Sequence, residues 1–208
     1  MLLKDDESVR ELASQSIAGG QVIAFRTDTF YGLGVDPFNQ SALRRIYDLK
    51  GREERKPLLV IISDAELAGR LVTPSPLFET IAARHWPGPI TLVAKAHPEV
   101  PEELTAGSGT LGVRLPDDEE VCAFVRRMGG MLTATSANPA GAPPARTAQE
   151  VQEYFGGDYL FIDSGPATGG LPSTVLDVTG PTARLIREGA LSRSELENSL
   201  RGAGAELE

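Results

Sequence analysis

Two spacings of apolar residues alternate along this chain. Val9, Leu12, Ala13 and Ile17 recur at helical intervals, and Gly19-Gly20 stops the run. Residues 21–25 then form a short, nearly all-apolar stretch that predicts a buried strand. The stretch 26–34, dense in hydroxyls and glycines, reads as a loop at the end of that strand. The helical interval returns at Leu43, Ile46 and Tyr47, started by Asn39 or Ser41 and ended by Gly51. An apolar strand over 58–62 follows, with Ser63 or Asp64 as the cap of a short helix.

Leu77, Phe78, Ile81 and Ala82 mark a helix that runs to Trp86 and breaks at Pro87-Gly88-Pro89, ahead of a strand over 90–94. Further strands are predicted over 111–115, 131–135, 160–162, 174–178 and 184–186, and a helix over 119–128. Thr147 with Glu150, and Ser192 with Glu195, carry the capping-box signature for two more helices. Strands and helices interleave with no repeat and no dividing linker, which predicts one α/β domain.

Composition narrows the function classes. The chain has 208 residues and a formal net charge of -9, is 41% hydrophobic and only 6% aromatic, and so suits a globular enzyme. An acidic chain is a poor candidate for binding nucleic acid over a broad face, which needs a basic field. No apolar span is long enough for a transmembrane helix, and the first residues have no apolar signal-peptide core, so a cytoplasmic location without membrane association is expected. Cys122 is the one cysteine, which excludes an intramolecular disulfide and a thiolate metal cluster. His85 and His97 have no ligand-like spacing, and no metal-ligating residues are expected.

Against this acidic background Lys50, Arg52, Arg55 and Lys56 crowd into one stretch. It reads equally as a solvated helix end, where the dipole favours cations, or as a clamp for an anion. Other polar groups follow strand runs: Thr27 to Thr29, Arg114, Ser136 with Asn138, Ser173-Thr174 and Arg187. If their strands share a sheet, they can converge on one crevice with the cations. Taken alone, Arg187 reads as a surface arginine and Ser173 as a turn hydroxyl, whereas Arg114 between Val113 and Leu115 reads as functional. Gly107-Ser-Gly-Thr-Leu-Gly112 matches the dinucleotide fingerprint in form only, because the flanking strand and helix are in the wrong order. There is no Walker loop and no nucleophile elbow.

Several motifs together resemble the YrdC/TsaC family of threonylcarbamoyl-AMP synthases. They are Thr27-Asp-Thr-Phe-Tyr-Gly-Leu-Gly34, Lys50-Gly-Arg52 with Lys56-Pro57, Pro87-Gly-Pro-Ile-Thr91 and Gly112-Val-Arg-Leu-Pro116, then Thr135-Ser-Ala-Asn138, Pro172-Ser-Thr174 and Ile186-Arg-Glu-Gly189. The resemblance implies a single-domain twisted open mixed sheet with flanking helices and a concave cationic cleft over residues 8–191. A C-terminal helix and flexible tail are expected over 192–208. It further implies synthesis of threonylcarbamoyl-AMP and pyrophosphate from L-threonine, bicarbonate and ATP, for threonylcarbamoyladenosine modification of tRNA. Mg²⁺ would be carried mainly by the ATP phosphates.

By the same resemblance Lys50, Arg52 and Lys56 hold ATP phosphates, helped by Ser136 and Asn138, with Thr110 and Arg187 on the nucleotide side. Lys50 and Arg52 carry the catalytic role. Thr29, Arg114 and Ser173 hold threonine. Implied partners are downstream threonylcarbamoyl-transferase proteins, with tRNA bound weakly at most. Arg26 stands where the family usually has proline, and Ile61 where longer members have histidine. The chain reads as the short form, whose cleft would be closed by its own loop over 139–146. The alternative is a diverged nucleotide- or RNA-binding paralogue without the threonine reaction.

Overall fold

A computed structural model describes residues 1–51, 56–157, 159–202 and 205–208. Short polar residues start its helices by accepting the free backbone N–H groups of the first turn. Asp6 caps α1 (Glu7–Ala18), Asn39 caps α2 (Gln40–Lys50) and Ser75 caps α3 (Pro76–His85). After the four-residue α4 (Glu102–Thr105), Asp118 caps α5 (Glu119–Arg127), Thr147 caps α6 (Ala148–Phe155) and Ser192 caps α7 (Arg193–Arg201). The reciprocal capping box is complete at Ser192 and Glu195. At α6 it is half-formed, because the Glu150 carboxylate accepts from Arg146 N instead, at 2.6 Å. Neither Ser63 nor Asp64 caps the 3₁₀ turn Ala65–Arg70: the Ser63 hydroxyl is spent on the Asp64 carboxylate, 2.7 Å away.

Among the described residues eleven strands fall into two mixed sheets instead of the single one expected. In chain order they are β1 (Leu2–Lys4), β2 (Ile23–Arg26), β3 (Tyr31–Gly34), β4 (Val60–Ile62), β5 (Ile90–Lys95) and β6 (Thr110–Arg114), then β7 (Met131–Thr133), β8 (Thr135–Ser136), β9 (Leu160–Asp163), β10 (Thr174–Asp177) and β11 (Arg184–Arg187). One sheet has the order β1-β9-β2-β3-β8 and the other β11-β10-β5-β6-β4-β7. The α/β class stands.

Part of the predicted loop over 26–34 is strand β3, paired antiparallel with β2. Its glycines suggested a loop, yet Gly34 is there for space: a Cβ on it would lie 2.9 Å from both Leu132 and Phe25. The predicted strand over 131–135 is cut in two. β7 pairs with β4 in the six-stranded sheet, and after Ala134 the chain pairs with β3 in the other. Thr133 N donates to Val35 O at 3.1 Å and Ala134 N to Leu59 O at 2.9 Å, so the crossing leaves these amides satisfied.

Strand periodicity gives the six-stranded sheet two unlike faces. Val60, Ile62, Leu92, Leu111, Val113 and Leu176 point into the larger core cluster with Phe78 and Ile81 of α3. On the opposite face, Ile61 and Leu132 are covered by a second cluster that includes Phe25, Phe124 and Val125. That cover stops short of β5, β10 and β11, where Val93 and Val175 are half-exposed, as is Gly112 on β6. Residues 205–208, at the end of the expected flexible tail, return to the sheet margin. Ala183 N donates to Glu206 O at 2.9 Å and Glu208 N to Ala183 O at 2.8 Å. Among the described residues no helix is long and apolar enough to cross a membrane.

Candidate active site

Four residues join β2 to β3, and the Thr27 hydroxyl holds their turn. It donates to Phe30 O at 2.6 Å and accepts from Thr29 N and Phe30 N at 3.2 and 3.3 Å. The Thr29 hydroxyl lies 3.2 Å from it. Asp28 is thereby fixed at the tip, and its own carbonyl accepts from the Thr168 hydroxyl at 2.7 Å.

From the other sheet Arg114 reaches this turn. It closes β6 on the face away from the core and is 3% exposed. Its Nε donates to Gly88 O at 3.1 Å, and its Nη2 makes a short ion pair with Asp28 Oδ2. Burial pushes the Asp28 carboxyl above the usual carboxylate range and lowers the Arg114 guanidinium; each partner opposes the shift in the other. The second oxygen, Asp28 Oδ1, is buried with no hydrogen-bond partner among the described residues.

Ser173, which precedes β10, is buried with its hydroxyl 2.9 Å from that of Thr91 on β5. Arg187 Nη2 donates to Ser173 O at 2.8 Å and lies 3.4 Å from its hydroxyl. Arg187 is exposed on its strand, and partial desolvation with the repulsion of Arg114 lowers its guanidinium. Strand register sets the two cations on one face. Arg187 makes no ion pair among the described residues. Thr91, Val175 and Arg187 form one row across β5, β10 and β11. Thr110, half-exposed on the same face of β6, is 3.1 Å from the Ser108 hydroxyl.

A second group gathers at the end of α2. Gly51 terminates that helix in the left-handed conformation, φ 60° and ψ 32°. Lys50 is 2% exposed, and its Nζ donates through a short hydrogen bond to Ser136 O. The same carbonyl accepts from Asn138 N at 2.9 Å. Asn138 Nδ2 donates to Ala142 O at 2.5 Å, which leaves its buried Oδ1 without a hydrogen-bond partner among the described residues. The two groups adjoin because Ser136 lies opposite Gly32 and Ala137 N donates to Tyr31 O at 2.8 Å, next to the Asp28 turn.

The structure thus gathers Thr29, Arg114, Ser173 and Arg187 near one another, and Lys50 with Ser136 and Asn138. Arg52 and Arg55 lie outside the described residues. Lys56 is exposed, and its carbonyl accepts from the Tyr47 hydroxyl at 2.9 Å. The loop over 139–146 is pinned by Ala142 N to Pro139 O at 3.1 Å and by Tyr31 N to Ala145 O at 2.9 Å. Arg26 is occupied by Asp118 and Glu120, and Ile61 is buried in the second core cluster.

Asp28, Thr91 and the Gly88 carbonyl escaped the sequence reading. Asp28 lay inside a quoted motif, yet an acid in an anion site has no local signature. Among the described residues no group of three or more His, Cys, Asp or Glu comes together to hold a metal ion.

Residues 15–189 match the Sua5/YciO/YrdC family model, described as telomere recombination. A threonylcarbamoyl-AMP synthase of Pyrococcus abyssi is 36% identical over 89% of this chain and 55% of its own length. One from Thiobacillus denitrificans is 38% identical over 81% of this chain and 89% of its own. The crystal structure of P. abyssi Sua5 complexed with L-threonine superposes with a TM-score of 0.88 at 32% identity, over 100% of this chain and 62% of that one. The chain therefore spans little more than half the length of the P. abyssi synthase.

Proposed function

The chain belongs to the Sua5/YciO/YrdC family, and from that premise we propose that it is a threonylcarbamoyl-AMP synthase. Threonine and bicarbonate combine, with loss of water, into a carbamate. One carbamate oxygen then attacks the α-phosphorus of ATP, and the bond to the β-phosphate breaks to release pyrophosphate. This chemistry demands alignment and charge stabilisation more than side-chain proton transfer. The observation that carries the reading is the pair of guanidiniums, buried Arg114 and exposed Arg187, on the polar face of the six-stranded sheet beside the Lys50–Ser136–Asn138 group.

Arg114, with the hydroxyls of Thr29 and Ser173, binds threonine through its carboxylate. Arg187 and Thr110 take the nucleotide side. Lys50, with Arg52, Lys56, Ser136 and Asn138, faces the triphosphate, where a cation offsets charge that builds as pyrophosphate departs. Magnesium would bring further charge neutralisation, riding on the phosphates. The described residues offer it no carboxylate cage, since Asp28 is already committed to Arg114. The released adenylate passes to separate transfer proteins, and binding of tRNA is weak and salt-sensitive because the chain carries a net charge of -9.

The test is pyrophosphate release from ATP, measured with threonine and bicarbonate each present or absent, for the wild type and Lys50→Met. Release is expected to need both co-substrates. Lys50→Met should lower turnover by on the order of 10²–10³, the effect of removing one transition-state donor. Release indifferent to both threonine and bicarbonate would overturn the synthase reading.

A further inference from the structure

Coulomb's law argues against an acid here. A carboxylate beside Arg114 repels the anionic group that the arginine would bind, and does so strongly in a poorly solvated site. Asp28 is nevertheless there, and its setting is unfavourable for its own solvation: Oδ1 is buried and has no hydrogen-bond partner among the described residues. Something in the geometry must outweigh the repulsion.

We propose that Asp28 is a positioning residue of the amino-acid subsite, setting the plane of the Arg114 guanidinium so that its Nη1 edge meets the substrate carboxylate. This rests on the reading above, in which Arg114 binds threonine. A guanidinium carries five N–H donors in a flat fork, so two anchors at different points fix its plane. Arg114 has two, from separate elements. Gly88 O, in the connection between α3 and β5, takes Nε at 3.1 Å, and Asp28 Oδ2, in the β2–β3 turn, takes Nη2. Nη1 donates to nothing among the described residues.

The acid is itself held before it holds the arginine. The Thr27 hydroxyl organises its turn, and the Thr168 hydroxyl donates to its carbonyl. Asp28 also compensates one of two neighbouring guanidiniums when no substrate is present, and an uncompensated buried cation would be strongly destabilising. The acid therefore makes a preformed carboxylate receptor tolerable and keeps it aligned.

The experiment compares wild type, Asp28→Asn and Asp28→Glu by steady-state kinetics and by calorimetric titration with L-threonine, L-threoninamide and ATP. In Asp28→Asn the KM for threonine should rise roughly ten- to a hundredfold, the scale of an ångström-sized misplacement. The KM for ATP should stay within about twofold. Preference for threonine over its amide should shrink by the same factor as threonine affinity, because the amide lacks the carboxylate. Asp28→Glu, which restores the charged carboxylate, should recover most of the loss.

Unchanged threonine affinity in Asp28→Asn, or an equal rise in both KM values, would overturn the proposal. If Asp28→Asn does not fold, Asp28→Asn/Arg114→Gln replaces the buried ions by a neutral pair. It should bind threonine no worse than Arg114→Gln, and a further loss would show that Asp28 acts other than through Arg114. Wild-type protein that binds no threonine would instead overturn the synthase reading, and the proposal with it.

Discussion

The two faces of the six-stranded sheet are built from the same strands and do opposite things. On one, Leu92, Leu111, Val113 and Leu176 are fully buried against one another and against Phe78 and Ile81 of α3. On the other, the intervening positions are Thr91, Gly112, Arg114 and Val175, joined by Arg187 in the row beyond. The core face is governed by volume, each large aliphatic side chain contributing about 1.5–3 kcal/mol on burial. Its partner is governed by donors held at fixed points. Alternation thus separates stability from chemistry one residue at a time, and the polar face takes its rigidity from the apolar one beneath it.

Substitutions on each face test that separation. The largest effect on stability is expected from Leu92→Ala, which should lower the unfolding free energy by about 3 kcal/mol through lost burial and a residual cavity. Denaturant titration measures it. Both KM values should stay within about twofold below the unfolding transition, and a substantial rise in either would mean that the faces are not independent.

Arg187→Gln should do the reverse. It is expected to reduce kcat/KM roughly ten- to a hundredfold, about 1.4–2.7 kcal/mol of transition-state stabilisation. The thermal midpoint should hardly move, since loss of the contact with Ser173 O is offset by relief of repulsion with Arg114. A collapse in the midpoint would assign Arg187 to the fold.

The smallest effect lies behind the core face, where His85 Nε2 is 2.8 Å from the Ser199 hydroxyl and so joins α3 to α7. Burial, with help from Arg84, holds this imidazole below its ordinary pKa of 6.5. Above that value the folded and unfolded forms are both neutral there and the contribution to stability is complete. As pH falls through the depressed pKa the unfolded chain binds the proton more readily, and the contribution is lost. Comparison of thermal midpoints at pH 7.5 and 5.5 should show a slightly larger fall for wild type than for His85→Gln.

Much of this was legible in the sequence because it is local. Asn39, Thr147 and Ser192 sit a few residues from the amides that they cap, and Gly51 ends its helix where the pattern placed it. The division into two sheets was not legible, since β7 and the start of β8 fall within one strand-like run, Met131-Leu-Thr-Ala-Thr135, and nothing in that run marks a change of partner. Strand β3 was hidden by Gly32 and Gly34, which read as turn residues until the close neighbours of Gly34 are known. Arg114 could be singled out by its place between apolar residues. Its partner could not: Asp28 is 86 positions away in the chain and meets it only across the sheets.

The crossing at Ala134 has a consequence for how this fold tolerates changes of length. Because the chain leaves one sheet and enters the other within adjacent residues, Thr133 and Thr135 are indexed to different ladders with a single residue between them. Deleting or adding one residue there would slip one ladder by a position and turn its side chains to the opposite face. Ser136 and Asn138 would then be displaced relative to Lys50, while every side chain kept its identity. The exposed positions around Ala140 and Gly141 belong to neither ladder, but Ala140 N donates to Lys50 O at 3.4 Å and Asn138 Nδ2 to Ala142 O, so an exchange there reaches the same group by another route. From Met131 to Ser136 the spacing of the chain is itself part of the candidate site.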